Sequence, residues 1–305
     1  MEQKKRVIAL GFFDGVHLGH AELLKTVVRR ARALQVTPAA VTFDAHPDQL
    51  ILHQPVSLLT SPAERADLMR RLYHIEDIIV APFDQRMMHM PWEAFLTEFL
   101  VRDCGAVHLV AGHDFHFGYL GEGNPSRLSA KCRELGLGCD IIPEVVKDGI
   151  TISSTYIRTL VAQGEMERAA EFLGHPFTLI GTVRHGKQLG RRLGFPTINL
   201  ILPEGVIIPA FGVYATRVYL PDGQVRMGVT NVGVRPTVDG EHAPITVEGY
   251  LLDFEGDLYG QTVRMDFFRH LRPEKKFDSL DALRAMVLQN AEETRTYFSS
   301  FSSLG

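Results

Sequence analysis

The first half of the chain alternates short apolar runs with longer segments of helical spacing. RVIAL, AAVTF, DIIVAPF and VHLVAGHDF predict strands, and HAELLKTVVRRARAL and SPAERADLMRRLYHI predict amphipathic helices between them. Ser61, followed by Pro62 and by Glu64 at capping-box spacing, is typical of a helix start. Strands that alternate with helices predict an α/β domain with a doubly wound, mainly parallel sheet, whose ligands bind at the carboxyl ends of the strands.

The pattern changes near Phe177 to short β-rich runs with frequent Gly and Pro. FTLIGTV, GVYATRVYL, VRMGVTNVG, ITVEGYLLDF and QTVRMDFF predict strands, and LPDGQV supplies an Asp-Gly turn. An antiparallel barrel or sandwich is therefore expected, and we place the two domains at residues 1–175 and 177–305. One amphipathic helix behind Ser279 should cover it, with apolar positions at Leu280, Leu283, Val287 and Ala291.

Composition and charge narrow the class of protein further. With 305 residues, 45% of them hydrophobic, the chain is long enough for about two domains. The net charge of -4, with both signs mixed along the chain, argues against a nucleic-acid partner. Three cysteines, Cys104, Cys132 and Cys139, fit no CxxC pattern, so neither a disulfide framework nor a thiolate metal site is favoured. No apolar span approaches about 18 residues, so we expect no membrane segment and a cytoplasmic location.

The stretch GFFDGVHLGH, residues 11–20, joins the first predicted strand to a helix and is a candidate phosphate site. Backbone N–H groups and the dipole at a helix start attract phosphate, and glycines permit close backbone approach. The two histidines can donate hydrogen bonds to a phosphoryl oxygen. Two alternatives stay open: a tight turn with capping histidines, and a zinc site with His113 and His116, which share the same spacing.

This stretch resembles the HxGH signature of the nucleotidylyltransferase superfamily, and specifically of bacterial FAD synthetases. ISSTYIR, residues 152–158, is similar to the ISSTxIR motif of that family, in which the hydroxyls and the arginine hold the outer phosphates of ATP. VTFDAHP and AGHDFHFG resemble its TFxxHP and GxDFxFG segments, whose loops line the flavin and nucleotide pockets. Without the resemblance, a helix N-cap run and ordinary strand-end turns would explain the same residues.

The resemblance implies that the phosphate of FMN attacks the α-phosphorus of ATP and that pyrophosphate leaves. Because the nucleophile is already an anion, such a site needs orientation and charge stabilisation more than a general base. The implied catalytic residues are His17 and His20. The implied ATP- and phosphate-binding residues are Gly11, Phe12, Asp14, Gly15, Gly19, Ser153, Ser154, Thr155 and Arg158, and the implied flavin-binding residues are Asp114, Phe115 and Phe117.

GTVRHGKQ, residues 181–188, matches the beginning of a P-loop and then departs from it. Gln188 stands where a Ser or Thr hydroxyl would bind Mg²⁺, and the glycines and proline that follow do not begin a helix well. We therefore reject a Walker A site. GKQLGRRLGFPTINL, residues 186–200, instead resembles the GxxxxGRxLGFPTxN pattern of riboflavin kinases.

The kinase resemblance implies a second set of site residues. Its glycine-rich loop wraps the ATP phosphates, and Thr197 and Asn199 would hold Mg²⁺, a hard cation that prefers oxygen ligands. Phosphorylating riboflavin requires deprotonation of a neutral alcohol, and Glu248, in a segment similar to the kinase's ExxxLDF…DLYG, is the candidate base. An exposed strand carboxylate is the alternative. The remaining implied residues are Gly186, Gly190, Arg191 and Gly194 for ATP and Arg235, in a segment that resembles NxGxxPT, for the flavin.

The resemblance runs from Val7 to about Tyr297 and covers the order of motifs in bifunctional riboflavin kinase/FMN adenylyltransferases. It implies an α/β adenylyltransferase domain followed by a six-stranded β-barrel kinase domain with a C-terminal helix, acting on riboflavin, FMN and ATP with Mg²⁺. The alternative is a riboflavin kinase whose first domain binds flavin or nucleotide without transfer. Tyr156, Gly121 and Gly249 depart from the family's usual residues, and a homo-oligomer is left open.

Overall fold

The computed structural model separates into two compact units, residues 1–154 and 155–305. The predicted domain limits at residues 175 and 177 remain a prediction beside this division. No helix among the described residues combines the length and the apolar character that crossing a membrane requires. The structure describes residues 4–51, 55–185, 194–234 and 245–302.

The first unit is built on a five-stranded parallel sheet. Its strands are β1 (Arg6–Leu10), β2 (Thr37–Phe43), β3 (Asp77–Ala81), β4 (Ala106–Gly112) and β5 (Gly138–Ile142). Their order, β3-β2-β1-β4-β5, reverses direction at β1, which has β2 on one side and β4 on the other. The predicted doubly wound parallel sheet is thus confirmed, and its switch point lies at the carboxyl end of β1.

Helices cover both faces of this sheet. They are α1 (Leu18–Leu34), α2 (Pro47–Ile51), α3 (Pro62–Tyr73), α4 (Gln85–Met88), α5 (Trp92–Ala94), which continues as a π-helix (Phe95–Asp103), and α6 (Pro125–Glu134). Short 3₁₀ turns span Asp14–Val16 and Tyr119–Gly121, and β6 (Val146–Lys147) pairs with β7 (Ile150–Thr151). The predicted capping box of α3 is present: the Glu64 N–H donates to Ser61 Oγ (3.3 Å), and the Ser61 N–H donates to Glu64 Oε2 (2.6 Å).

Alternation along β1 divides the interior into two apolar cores. Val7 and Ala9 pack with residues of α1 and α3, whereas Ile8 and Leu10 pack with residues of the π-helix and α6. All four side chains are essentially inaccessible to water, as expected for a central strand that has both faces covered. The buried sheet is therefore a rigid support for the loops at its carboxyl edge.

The second unit contains a closed antiparallel barrel of six strands. Helices α7 (Ser154–Gln163) and α8 (Met166–Leu173) precede β8 (Phe177–Arg184), β9 (Thr197–Ile201), β10 (Gly212–Tyr219), β11 (Val225–Val234), β12 (Ile245–Leu251) and β13 (Thr262–Arg272). The strand order around the barrel is β10-β11-β12-β9-β8-β13. The structure therefore decides between the two architectures that the strand pattern allowed: the fold is a barrel and not a sandwich.

A last helix, α9 (Leu280–Ser302), packs against the outside of the barrel. The Ala282 N–H donates to Ser279 Oγ (3.1 Å), as the predicted cap requires, and Ala291 joins Val213 and Val229 in a buried cluster. Leu280 is 52% exposed because it lies at the first residue of the helix, so the predicted apolar stripe begins one turn later.

Candidate active sites

The candidate phosphate loop follows β1 and bends sharply before α1 begins. Phe13, Gly15 and Val16 have φ values of 59°, 75° and 43°, a left-handed conformation that costs least for the glycine. His17 is the N-cap residue of α1, and its Nδ1 accepts a hydrogen bond from the His20 N–H (3.3 Å). The tight turn thus delivers both histidines to the start of a helix, at the switch point of the sheet.

The two imidazole rings form a stacked pair. Their centroids lie 3.6 Å apart with 14° between the planes, and a Cβ at Gly19 would lie 3.1 Å from ring atoms of His17. Within the described part of the chain, the enclosed Nδ1 of His20 has no hydrogen-bond partner. Burial, followed by the charges of His17 and Arg65, lowers the pKa of His20 well below its ordinary value of 6.5. The ring of His20 is therefore neutral at pH 7.

Asp14 binds protein groups in this structure. Its Oδ1 accepts hydrogen bonds from the N–H groups of Leu59 (2.8 Å) and Thr60 (3.1 Å), so the carboxylate ties the segment before α3 to the loop. Its carbonyl oxygen accepts a hydrogen bond from Ser154 Oγ (3.0 Å). A contact between Asp14 and phosphate stays a prediction. The backbone N–H of Asp14 suits an anion, whereas its carboxylate does not.

The ISSTYIR segment lies where α7 begins. Ser154, the first residue of the helix, contacts the phosphate loop through the hydrogen bond just described. Further along, Arg158 Nη2 donates to Thr155 Oγ1 (3.1 Å). Tyr156, which replaces the family's more usual arginine, packs edge-on against Phe172 with ring centroids 5.0 Å apart.

A cavity of about 670 Å³ opens in the first unit beside the loops that follow β2 and β4. Phe115 and Phe117 line it as a stacked pair with centroids 5.4 Å apart, and Phe43 and Pro47 of VTFDAHP line it as well. Asp114 lies just before these rings, whereas Gly121, at φ 66°, lines the cavity in a conformation that favours glycine. The sequence did not single out its other lining residues, which include Phe83, Met87, His89, Tyr119 and Leu120.

In the second unit, Glu248 lies at the centre of a polar row that crosses three strands. It pairs in register with Asn231 on β11 and with Asn199 on β9. Glu248, Asn231 and Thr197 also line a cavity of about 260 Å³ between the barrel and α9. Phe195, Tyr250 and Phe277 supply aromatic walls, so the Glu248 carboxylate lies at the edge of a mainly apolar cavity.

Thr197 also lines a second, smaller cavity, of about 50 Å³, whose walls include Phe254, Asp257 and Tyr259 of the DLYG region. Thr197 thus lies between two cavities of the second unit. Gly249 follows the candidate base Glu248 on β12. A Cβ at Gly249 would lie 3.0 Å from Met265 Cε and 3.4 Å from Thr230 Oγ1. The close packing of Met265 and Thr230 therefore explains why a glycine, and not the family's larger residue, stands at position 249.

Some predicted residues lie outside the described part of the chain. Gly194, at φ 85°, is described, and its conformation favours glycine. No group of three His, Cys, Asp or Glu side chains suited to a metal is found among the described residues. The predicted residues outside the described ranges are Gly186, Gly190, Arg191 and Arg235.

Comparison with known proteins assigns both halves of the chain. Residues 1–156 match the family model described as FAD synthetase, and residues 173–298 match the one described as riboflavin kinase. A nucleotidyltransferase-type α/β domain is thus followed by a kinase barrel, and the two matches favour a bifunctional enzyme over a kinase alone. The chain belongs to the family of bifunctional riboflavin kinase/FMN adenylyltransferases, as the motifs predicted.

Individual relatives match over nearly their whole length. The bifunctional riboflavin kinase/FMN adenylyltransferase of Listeria monocytogenes is 34% identical, with 96% of this chain and 92% of the relative covered. The enzyme of the same description from Pseudomonas fluorescens is 35% identical over 94% of this chain and 91% of its own. A solved structure described as a macrolide-efflux protein from Streptococcus pneumoniae has a TM-score of 0.84 and 30% identity, and covers 97% of this chain and 95% of its own.

Proposed function

We propose that the chain makes FAD in two steps. The second domain transfers the γ-phosphate of ATP to riboflavin, and the first transfers AMP from another ATP to the resulting FMN, with release of pyrophosphate. The observation that carries this proposal is that each unit presents the group its reaction needs. The first has a stacked histidine pair at a helix start, and the second has a carboxylate in the wall of an aromatic-lined cavity.

Adenylyl transfer calls for donors aimed at the phosphoryl oxygens. Because Nδ1 of His17 accepts a backbone hydrogen bond, the proton of the neutral ring lies on Nε2, which is then able to donate. His20 stays neutral and supplies a second ring N–H. Both donors would bind the charge that develops on the α-phosphoryl group more strongly in the transition state than in the ground state.

The remaining residues of the first site would position the two substrates. The glycine turn and the first N–H groups of α1 suit the nucleotide phosphates, and the hydroxyl and guanidinium groups of ISSTYIR suit the leaving pyrophosphate. The aromatic cavity suits the flavin ring of FMN. The proposed phosphate-binding residues are Gly11, Phe12, Asp14, Gly15, Gly19, Ser153, Ser154, Thr155 and Arg158, and the proposed flavin-binding residues are Asp114, Phe115 and Phe117.

In the second domain, Glu248 is the proposed base for the riboflavin hydroxyl. Riboflavin would occupy the cavity beside α9, and the ATP phosphates would approach from the smaller cavity across Thr197. Thr197 and Asn199 lie two residues apart on β9 and supply neutral oxygen donors, which fit Mg²⁺. When bound, the ion would neutralise charge on the transferred phosphate. The resemblance further proposes Gly186, Gly190, Arg191 and Gly194 for ATP and Arg235 for the flavin.

The same family match supports the conditions under which the enzyme works. Its substrates are proposed to be riboflavin, FMN and ATP, without a nucleic-acid partner. Cys104, Cys132 and Cys139 are all free thiols, which suits a reducing compartment, and we place the reactions in the cytoplasm.

A time course tests the two activities together. The purified chain is incubated with riboflavin, ATP and Mg²⁺, and the flavins are separated by chromatography; FMN should accumulate first and FAD should follow. A parallel reaction that starts from FMN tests the first domain alone. FMN as the final product in both reactions would mean that the first domain binds without transfer, and no product from riboflavin would overturn the kinase assignment.

A further inference from the structure

Arg65 is a fully buried arginine on α3, directly after the capping box. Its Nη1 donates to the carbonyl oxygen of Phe12 (2.7 Å), to Thr42 Oγ1 (2.8 Å) and to the carbonyl oxygen of Phe43 (3.1 Å). The guanidinium also lies over the ring of Phe12, 3.9 Å from its centroid. One side chain therefore connects the segment after β1 with the end of β2, the two places where the phosphate loop and the VTFDAHP loop begin.

Among the residues that the structure describes, no carboxylate is hydrogen-bonded to the charged group of Arg65. In the described part of the chain, Nε and Nη2 are enclosed and have no hydrogen-bond partner. Burial lowers the pKa of Arg65 to about 10, against the opposing attraction of Asp14, so the side chain stays protonated at neutral pH. Burying such a charge is costly, and a methionine would fill a similar volume without that cost. A role beyond packing is therefore indicated.

This buried charge contributes to the lowered pKa of His20. His17, at the start of α1, and Arg65, on α3, are the two groups whose charges act on His20, and both favour its neutral form. Inside the protein, where the dielectric constant is low, a fixed cation also attracts the phosphate groups of a bound substrate.

We infer that Arg65 is a positioning residue for adenylyl transfer, which fixes the ends of β1 and β2 and adds a permanent positive charge beside the paired histidines. The inference rests on the proposed adenylyltransferase activity of the first domain. Arg65 would act through His20 and through the carbonyl groups of Phe12 and Phe43, without being the group that transfers a proton or a phosphate.

Two variants separate the charge of Arg65 from the placement of its planar guanidinium. Arg65→Met removes both, and the kcat of FAD formation from FMN should fall by about 10²-fold, comparable to the loss of one transition-state donor. Arg65→Lys keeps the charge but lacks the planar guanidinium that lies over Phe12 and donates through Nη1, so its kcat should lie between those of Arg65→Met and the unchanged chain. Arg71→Met, on the exposed face of the same helix, is the matched control and should leave kcat unchanged.

Titration of the His20 ring by NMR distinguishes a positioning role from a merely structural one. The pKa of His20 should rise in Arg65→Met and not in Arg65→Lys, because only the first loses the cation, whereas burial, the larger cause, lowers the pKa in both variants. Trp92, the single tryptophan of the chain, reports by fluorescence whether the first domain is folded. If Arg65→Met does not fold, Arg65→Lys alone decides, and unchanged kcat in that variant overturns the positioning role of the guanidinium.

The outcomes also separate this inference from the proposed function. If the unchanged chain forms no FAD from FMN, the proposed activity of the first domain fails. If the unchanged chain forms FAD, and a folded Arg65→Met variant matches it in kcat and in the His20 titration, only the role of Arg65 is overturned.

Discussion

At the scale of single residues, the glycines beside the catalytic candidates are fixed by close packing. At Gly19 the absent side chain leaves room for the His17 ring, which a Cβ would approach to 3.1 Å, and at Gly249 the space is filled by Met265 and Thr230. The two glycines thus have different roles. Gly19 leaves room for the His17 ring at the start of α1, and Gly249 allows Met265 and Thr230 to pack against β12 next to Glu248.

The lowered pKa of His20 should make the first domain sensitive to acid. The folded pKa of His20 lies well below 6.5, the value expected when the chain is unfolded. Stability from the neutral ring is therefore fully present above pH 6.5 and is lost as the pH falls toward the folded pKa, by at most about 1.4 kcal/mol per pH unit. Urea unfolding monitored by Trp92 fluorescence should show this slope in the unchanged chain and less of it in His20→Gln. If the free energy of unfolding changed with pH equally in the two proteins, the role of His20 in acid sensitivity would be contradicted.

At the scale of elements, α3 depends on its capping box. Ser61→Ala removes the acceptor of the Glu64 N–H, so the free energy of unfolding of the first domain should fall by about 1 kcal/mol. Trp92 fluorescence during urea unfolding measures the change. Ser126→Ala, an exposed serine near the start of α6, is the control and should stay within about 0.5 kcal/mol of the unchanged chain. An equal loss in both variants would argue against the cap.

The elements were predictable from sequence where their periodicity is strong. The runs RVIAL, AAVTF and VHLVAGHDF were predicted as strands and contain β1, most of β2 and most of β4, because a sheet with two buried faces requires continuous apolar strands. The predicted strand DIIVAPF ends at Ala81, and Phe83 lies beyond it at the cavity, since no sheet neighbour extends that far. The π-helix was not predicted.

The candidate sites were only partly predictable, because sequence spacing reports local geometry alone. Motif order placed His17 and His20 at a helix start, but their ring stacking depends on Gly19 and on burial. Arg65 was missed because an arginine after a capping box suggests an exposed helix face, and only the neighbouring strand ends bury it. Asn231 lies opposite Glu248 in the pairing of β11 with β12, and their separation in the sequence conceals this.

At the scale of the whole molecule, the two reactions share one small intermediate, FMN. His20→Ala should stop at FMN, whereas Glu248→Ala should form FAD only when FMN is supplied, because each variant lacks a group required by one reaction alone. A mixture of the two variants should then convert riboflavin into FAD, provided that FMN leaves the kinase site and diffuses between molecules. Chromatography of the mixture measures this directly.

If the mixture yields neither FMN nor FAD, while each variant alone behaves as stated, independent action of the two domains is contradicted. If FMN accumulates without FAD, although Glu248→Ala converts added FMN, the intermediate stays bound where it is made.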